Sequence, residues 1–309
     1  MTSKKEQAIV VSALKHAAPY IRLFKKKVFV IKAGGEIFAD PGQTSAFIEQ
    51  VGLLHQVGIR VVLIHGGGPQ STELATALGL DTQFIEGRRV TDGASLDVAT
   101  MVLNGQINTR ILAACRDLQI PAVGMSGVDA GLIRAHQRPP VERDGEDAVD
   151  YGYVGDIDGV DADVLRKQLD NGLMPVISPL SCDESGTLLN INADTVAAAI
   201  AAELDAEKLI LATGAAGILE DIKDPRSLIS YMDRAALKKL KTSGSLADGM
   251  LPKAAAIDAA LANGVQRVHV ISYKLADSLL LEVFTNEGTG TLVVDDTAAL
   301  SPAEQAGSS

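Results

Sequence analysis

Tryptophan is absent from the 309 residues, and all aromatics together make up only 4%. A protein that stacks successive bases needs aromatic platforms, so single-stranded nucleic acid is a poor match. Positive charge is scarce too: 28 Lys and Arg face 39 Asp and Glu, a net charge of -11, and the one basic cluster is Lys25, Lys26 and Lys27. That field repels a phosphate backbone, so nucleic acid is excluded as a partner. Only two cysteines occur, Cys115 and Cys182, far apart and in no metal or redox spacing. A disulfide framework and a thiolate metal site are thereby excluded. Long hydrophobic runs are missing as well. The most apolar stretch, Val196 to Leu204, is about half of the ~20 residues that cross a bilayer. No apolar signal core follows the polar start Met1 to Gln7, so the expected location is the cytoplasm, without a membrane.

What is present is a regular alternation of two patterns. Short β-branched runs bounded by Gly or Pro predict strands at Val28 to Lys32, Arg60 to His65, Ala122 to Met125, Met174 to Ser178, Lys208 to Thr213, Val268 to Ser272 and Thr291 to Val294. Longer Ala- and Leu-rich segments predict helices at Thr44 to Val57, Ser71 to Leu78, Ala94 to Asp117, Ala162 to Leu169, Asp194 to Glu203, Asp233 to Leu240, Lys253 to Asn263 and Leu275 to Phe284. Repeated βα units imply a three-layer αβα sandwich with a mainly parallel central sheet and ligands at the carboxyl ends of its strands.

Three regions depart from that pattern. Residues 8 to 24 have helical apolar spacing, with Pro19 expected to kink or end the helix. The helix packs on its own domain or reaches another subunit; periodicity cannot say which. Residues 137 to 155 read as a hairpin or flap. The polar run from Ser181 to Leu189 marks the expected lobe boundary. The division is then an arm over 1–25, a lobe for the acyl amino acid and dimerisation over 26–180, a nucleotide lobe over 181–297, and a flexible tail over 298–309.

Candidate chemistry begins with His65-Gly66-Gly67-Gly68-Pro69-Gln70, where a buried strand runs into three glycines and a helix. Backbone N–H groups crowded at a helix start form an anion cradle. Lys32-Ala33-Gly34-Gly35 is a similar turn that places a cation beside the glycines, so the pair could converge on a phosphate. Tight strand-to-helix turns would account for either pair alone. Neither turn is a G-x-x-x-x-G-K-[ST] loop or a G-x-G-x-x-G fingerprint, and His65 reads as structural rather than as a base. Gly87-Arg88-Arg89-Val90-Thr91-Asp92 could hold a carboxylate bidentately, or could be a solvated loop. Asn190-Ile191-Asn192-Ala193-Asp194 has more polar groups than a helix cap needs. Lys253 lies in the first turn of a helix, where the macrodipole disfavours a cation and so suggests an anion nearby.

Taken in order, Pro19-Tyr20-Ile21-Arg22, Lys32-x-Gly-Gly, His65-Gly-Gly-Gly-Pro-Gln, Gly87-x-Arg-Val-Thr-Asp, Met101-Val-Leu-x-Gly-Gln-x-Asn, Gly152-x-Val-Gly, Asn190-x-Asn-Ala-Asp, Gly249-Met-Leu-Pro-Lys, Leu279-Leu-Leu-Glu and Glu287-Gly-x-Gly-Thr resemble the amino acid kinase family, and within it the acetylglutamate branch. The resemblance implies that fold and phosphoryl transfer from ATP, with Mg2+ held mainly by the nucleotide phosphates, to the side-chain carboxylate of N-acetyl-L-glutamate, the second step of arginine biosynthesis. It implies that Lys32 and Lys253 neutralise the phosphoryl charge and that Asp194 orients them. Gly34, Gly35, Gly67 and Gly68, with Thr213, Gly214 and Gly217, would bind phosphate or nucleotide. Gly67, Gly68, Arg89, Asn190 and Asn192 would bind the acid, with Arg89 on its α-carboxylate. His269, Glu282, Gly288 and Gly290 match a region that binds L-arginine as an effector, and the arm implies a homo-oligomer, a dimer or a hexamer of three dimers. Departures from the family pattern are Ala33, Glu36, Thr109, the turn Thr213 to Gly217, and Ser272-Tyr273-Lys274 in place of Asp-Gly-Arg. Two alternatives share these residues: a catalytically weak regulatory or scaffolding paralogue, and a kinase for a longer acid such as a carrier-linked aminoadipate.

Overall fold

The computed structural model describes residues 4–299 except 86–87, 144–145, 222, 225, 245 and 247. Its centre is one eight-stranded sheet, with β1 Val28–Ala33, β2 Arg60–His65, β3 Ala122–Ser126, β4 Met174–Ser178, β5 Lys208–Thr213, β6 Tyr231–Asp233, β7 Val268–Ser272 and β8 Thr291–Val294 in the order β6-β8-β7-β5-β1-β2-β4-β3. The six strands from β7 to β3 run parallel, and β8 turns antiparallel to β7 at one edge. Seven of the eight follow from the β-branched runs. Tyr231–Asp233 is too short to carry a hydrophobic pattern, and it exists because β8 offers it an edge.

Alternation along β1 shows why the sheet has three layers. Val30 faces one core, shared with Val62, Ile64, Leu209 and Leu211. Phe29 and Ile31 face the other, with Val61, Leu63 and Ile210. Strands apolar on both faces must be covered on both. Helices α6 Ala162–Asp170, α7 Ala193–Glu203, α8 Arg234–Thr242 and α9 Leu251–Ala262 cover the first face. On the second lie α2 Pro41–Gln56, α4 Gly93–Thr100, α5 Thr109–Asp117 and α10 Ser278–Phe284, while α3 Gly68–Ala77 follows β2.

Two expectations are corrected. Pro19 does not end the first helix: α1 runs through it from Lys4 to Phe24. Pro19 is exposed, so water can take the backbone carbonyl that the missing N–H leaves unpaired. The single helix expected over Ala94 to Asp117 is three pieces, with a π-helical turn at Met101–Asn108 between α4 and α5. In that wider winding the Asn108 side chain donates to the Val176 carbonyl (3.0 Å) and meets His65 Nε2 (3.2 Å), while Ser178 hydrogen-bonds Asn104. The polar run at 181–189 is the turn of a hairpin between Leu180–Cys182 and Leu188–Asn190, where the Asp183 carboxylate accepts the N–H groups of Ser185 and Thr187. That hairpin joins Ile133–Gln137 and Gly155–Val160 in a second, four-stranded sheet.

The segment 137–155 is a hairpin as expected, Val141–Arg143 against Glu146–Val149, its turn lying outside the described residues. Most of the expected tail, from residue 300 on, also lies outside them. Among the described residues no helix is long and apolar enough to cross a membrane.

Candidate active site

The carboxyl ends of the two central strands, β1 and β2, fix the position of the site. Ala33 pairs with His65, so the turn Gly34-Gly35 lies directly beside Gly66-Gly67-Gly68. The turns touch: the Gly66 N–H donates to the Ala33 carbonyl at 2.8 Å, and a Cβ on Gly35 would sit 2.8 Å from Gly67 Cα. Side chains are excluded by that contact, and backbone amides are what remain to line the floor. Among the described residues, the N–H groups of Gly35, Gly67 and Gly68 have no acceptor in the protein. His65 ends β2 fully buried. Its Nδ1 meets the Gly66 carbonyl at 3.1 Å, and burial holds its pKa down at about 4, so the ring is neutral and structural.

Over this floor stands an ion triad. The Lys32 ammonium, at the end of β1, lies 2.9 Å from one Asp194 oxygen, and the Lys253 ammonium lies 2.9 Å from the other. Lys32 and Asp194 are 6% and 3% exposed. Asp194 occupies the first turn of α7, where Asn192 caps the helix by accepting from the N–H groups of Asp194 (2.8 Å) and Thr195 (3.1 Å). A carboxylate at a helix start is favoured, and the same macrodipole disfavours Lys253 at the start of α9. The anion that compensates Lys253 is therefore Asp194. Burial would raise the Asp194 pKa, but the two ammonium groups outweigh it and hold the carboxyl below its usual range. Lys253 is shifted down, by burial first and by Lys32 second, against the pull of Asp194.

The triad lines a cleft of about 620 Å³. Its lining includes Lys32, Lys253, Arg88, Arg89 and Arg138 against only Glu36 and Asp194, so the cleft is cationic inside an acidic protein. Arg89 donates to the Gly68 carbonyl (3.0 Å) and to Thr72 Oγ1 (2.6 Å), and its guanidinium lies 4.9 Å over the Phe84 ring. Burial lowers its pKa, an environment that favours an anionic partner. Asn190 lines the same cleft and donates to Thr91 Oγ1 at 3.3 Å. Thr213 and Gly214 also line the cleft; Gly217 does not, and packs instead against Leu228 and Thr291. Gly87 of the Arg-Val-Thr-Asp run lies outside the described residues.

Three cleft groups escaped the sequence reading. Arg138, forked onto Asp156 at 3.0–3.2 Å through Nε, lies in an irregular acidic stretch that offers no periodic signal. Thr72 and Phe84 position Arg89 from a helix and a two-residue strand, and single residues of those types carry no pattern.

A second cavity of about 420 Å³ opens at the amino ends of β5 and β7. It gathers His269, Glu282, Gly288 and Gly290 with Tyr20 and Phe24 of α1 and Lys208 of β5. Lys208 Nζ lies 2.9 Å from His269 Nε2, and His269 Nδ1 lies 2.5 Å from Glu282 Oε1. Burial and Lys208 lower the His269 pKa; an ammonium at Nε2 and a carboxylate at Nδ1 suit a ring that accepts at Nε2 and donates at Nδ1. Burial works to raise Glu282, but the bonds from His269 and the Thr289 N–H hold it at about 2. Tyr20 donates to Asn286 at 2.5 Å, which ties α1 to the rim. Ser272, Tyr273 and Lys274 do not line this cavity; Tyr273 and Lys274 lie beside Gly214 instead.

Replacing Asp194 with Asn leaves two buried cations without a counter-charge, and is expected to cost about 3–5 kcal/mol, read by denaturant unfolding. Because the folded pKa of Asp194 is depressed, its contribution is complete above the unfolded value of about 3.9 and drains away as pH falls through the folded one. The wild type should therefore lose more stability than Asp194→Asn on acidification below about pH 4. Parallel acid profiles would show that the carboxylate does not hold the triad together.

Several known proteins are similar to this chain. An acetylglutamate kinase of Myxococcus xanthus is 47% identical over 292 residues, covering 93% of this chain and 95% of its own. One of Symbiobacterium thermophilum is 44% identical, over 92% and 97%. Among solved structures, the N-acetylglutamate synthase of Neisseria gonorrhoeae complexed with coenzyme A and N-acetyl-glutamate superposes with a TM-score of 0.81 at 31% identity, and the match covers 93% of this chain and 64% of the synthase. A complex of that synthase with coenzyme A and L-arginine gives 0.81 at 30% identity, over 93% and 65%. Carbamate kinase from Giardia lamblia bound to AMP-PNP shares the fold, with a TM-score of 0.62 at 17% identity. Residues 27–272 match the amino acid kinase family, and the chain belongs to it.

Proposed function

We propose that the protein transfers the γ-phosphoryl group of MgATP to the side-chain carboxylate of N-acetyl-L-glutamate, giving an acyl phosphate and ADP. The observation that carries this reading is the pair of lysines held by one buried carboxylate above two amide-lined turns. A carboxylate acceptor is ionised at pH 7 and needs no general base. Its oxygen attacks the γ-phosphorus in line as the bond to the bridging β–γ oxygen breaks, and what the protein supplies is alignment and charge neutralisation. Asp194 suits that role and not the role of a base, because both its oxygens face ammonium groups and it stays ionised.

The residue roles follow. Lys32 and Lys253 neutralise the transferring phosphoryl, and Gly34, Gly35, Gly67 and Gly68 present N–H groups to it. Arg89 and Asn190, with Asn192 nearby, hold the acetylated amino acid, and Thr213 and Gly214 contact the nucleotide. Among the described residues no group of three or more His, Cys, Asp or Glu could hold a metal. Magnesium is carried mainly by the nucleotide phosphates. Residues 26–180 then form the lobe for the acid and for dimerisation, and 181–297 the nucleotide lobe, in a cytoplasmic enzyme.

The second cavity is proposed to take L-arginine, whose guanidinium and carboxylate suit a rim bearing Glu282 and Lys208. Exposed apolar residues on α1, among them Ile9, Val10 and Leu14, support an arm that joins dimers into a hexamer.

Lys32→Ala or Lys253→Ala should lower kcat by roughly 10²-fold or more while the protein still folds. A wild-type kcat in either variant, measured by coupled ADP release, would sink the assignment. The same assay run with aminoadipate derivatives, aspartate and carbamate fixes the acceptor. Arg89→Lys should raise KM for the acid and leave KM for ATP nearly unchanged, because an ammonium cannot fork onto a carboxylate. Equal losses for both substrates would point to a packing role. Removing residues 1–24 should leave a working dimer that no longer responds to arginine. Mass measurement and calorimetry test this: a full-length dimer defeats the assembly, and a hexamer without arginine heat or inhibition defeats the effector.

A further inference from the structure

Gln70 lies in the first turn of α3, is 8% exposed, and does not line the cleft. Its Nε2 donates to the Gly35 carbonyl at 2.6 Å, across from its own turn to the one that follows β1. Its Oε1 is buried without a partner. That oxygen fills the space a Cβ on Gly35 would need, at 2.6 Å, beside Gly67 N and Cα. A buried acceptor left unpaired costs about 1–3 kcal/mol. An amide of either turn could remove that cost by swinging inward onto Oε1, and it would then be lost to the cleft. The bond to Gly35 fixes the plane of the side chain and so ties the turn that follows β2 to the backbone of the turn that follows β1.

We propose that Gln70 is a positioning residue for the phosphate cradle, clamping the Gly34-Gly35 turn to the Gly66-Gly68 turn so that their amides converge on the γ-phosphoryl group. This role rests on the phosphate-binding reading of the turns. It acts through the backbone and touches neither substrate.

The full-length wild type, Gln70→Met and Gln70→Glu are titrated with magnesium AMP-PNP by calorimetry between pH 5.5 and 8, and assayed with acetylglutamate. Gln70→Met keeps the volume but removes the donor, and should weaken AMP-PNP and lower kcat by roughly 10-fold or more, with KM for the acid within about 2-fold. In Gln70→Glu the ionised carboxylate repels the Gly35 carbonyl, whereas the protonated acid can donate to it. Its nucleotide affinity relative to the wild type should therefore recover as pH falls, a profile that packing alone does not produce. Wild-type affinity in Gln70→Met, or a flat ratio for Gln70→Glu, would overturn the proposal. If Gln70→Met fails to fold, the pH profile of Gln70→Glu decides alone. A wild type that binds AMP-PNP but turns over no acetylglutamate rejects the acceptor and leaves the clamp standing on its binding data. A wild type that binds no AMP-PNP rejects cradle and clamp together.

Discussion

The burial of one carboxylate between two ammonium groups is the constraint around which the rest of the chain is arranged. Removing three charges from water is costly, and only close mutual pairing offsets it. Lys32, Asp194 and Lys253 come from the end of a strand and the starts of two helices, more than fifty residues apart in each step of the sequence. Bringing them within 2.9 Å requires β1 at the centre of the sheet and α7 packed against both β1 and α9. The Ala-rich faces of α7 and α9 allow that close packing, since Ala197, Ala201, Ala256 and Ala260 lie in one core. An excess positive charge remains after pairing, and it faces the cleft.

That excess explains how a protein of net charge -11 can serve anionic ligands. The acids are dispersed over the surface, while five cations and a floor of backbone amides are concentrated in one concave site. Low-dielectric walls focus such a local field, so the sign of the cleft and not of the molecule governs what enters. Glu36 is the one acid of the cleft outside the triad. It stands at the start of a short 3-10 turn beside Gly34 and near the hydroxyl of Tyr273, whose pKa is raised by burial and then by this carboxylate.

Much of this was legible in the sequence, for physical reasons. Buried parallel strands are dense in β-branched residues, which is why Arg60 to His65, Met174 to Ser178 and Val268 to Ser272 end where their patterns end. Glycine runs betray a backbone approach, and Lys253 betrays its partner through an unfavourable helix position. Features that depend on side chains of distant segments were not legible. The π-helical turn at Met101–Asn108 is set by Asn108 reaching Val176 and His65. Pro19 could be read only as a kink or an end, because its exposure, which makes the lost bond cheap, is a tertiary fact. Gln70 stood in full view beside three glycines. Its contact with Gly35, however, spans two strand ends whose adjacency no local pattern encodes.

The two cavities stand in a fixed relation through the sheet. Lys208 begins β5 at the outer cavity, and Thr213 ends the same strand at the cleft. His269 lies near the start of β7, and the residues after its end, Tyr273 and Lys274, lie beside Gly214. Six residues of strand span roughly 20 Å. A strand buried on both faces and bonded on both edges does not stretch, so a ligand in the outer cavity cannot act by local distortion passed along β5. It can act only by moving β5 and β7 as a rigid body against β1 and β2, or by moving α1, which Tyr20 and Phe24 anchor to the cavity rim. The first motion would change the distance between the Thr213-Gly214 turn and the paired glycine turns. The second leaves the cleft untouched unless α1 is itself held by something outside the protomer. An apolar stripe exposed along α1 offers a surface for such a hold, so the second route, unlike the first, requires a contact beyond the protomer.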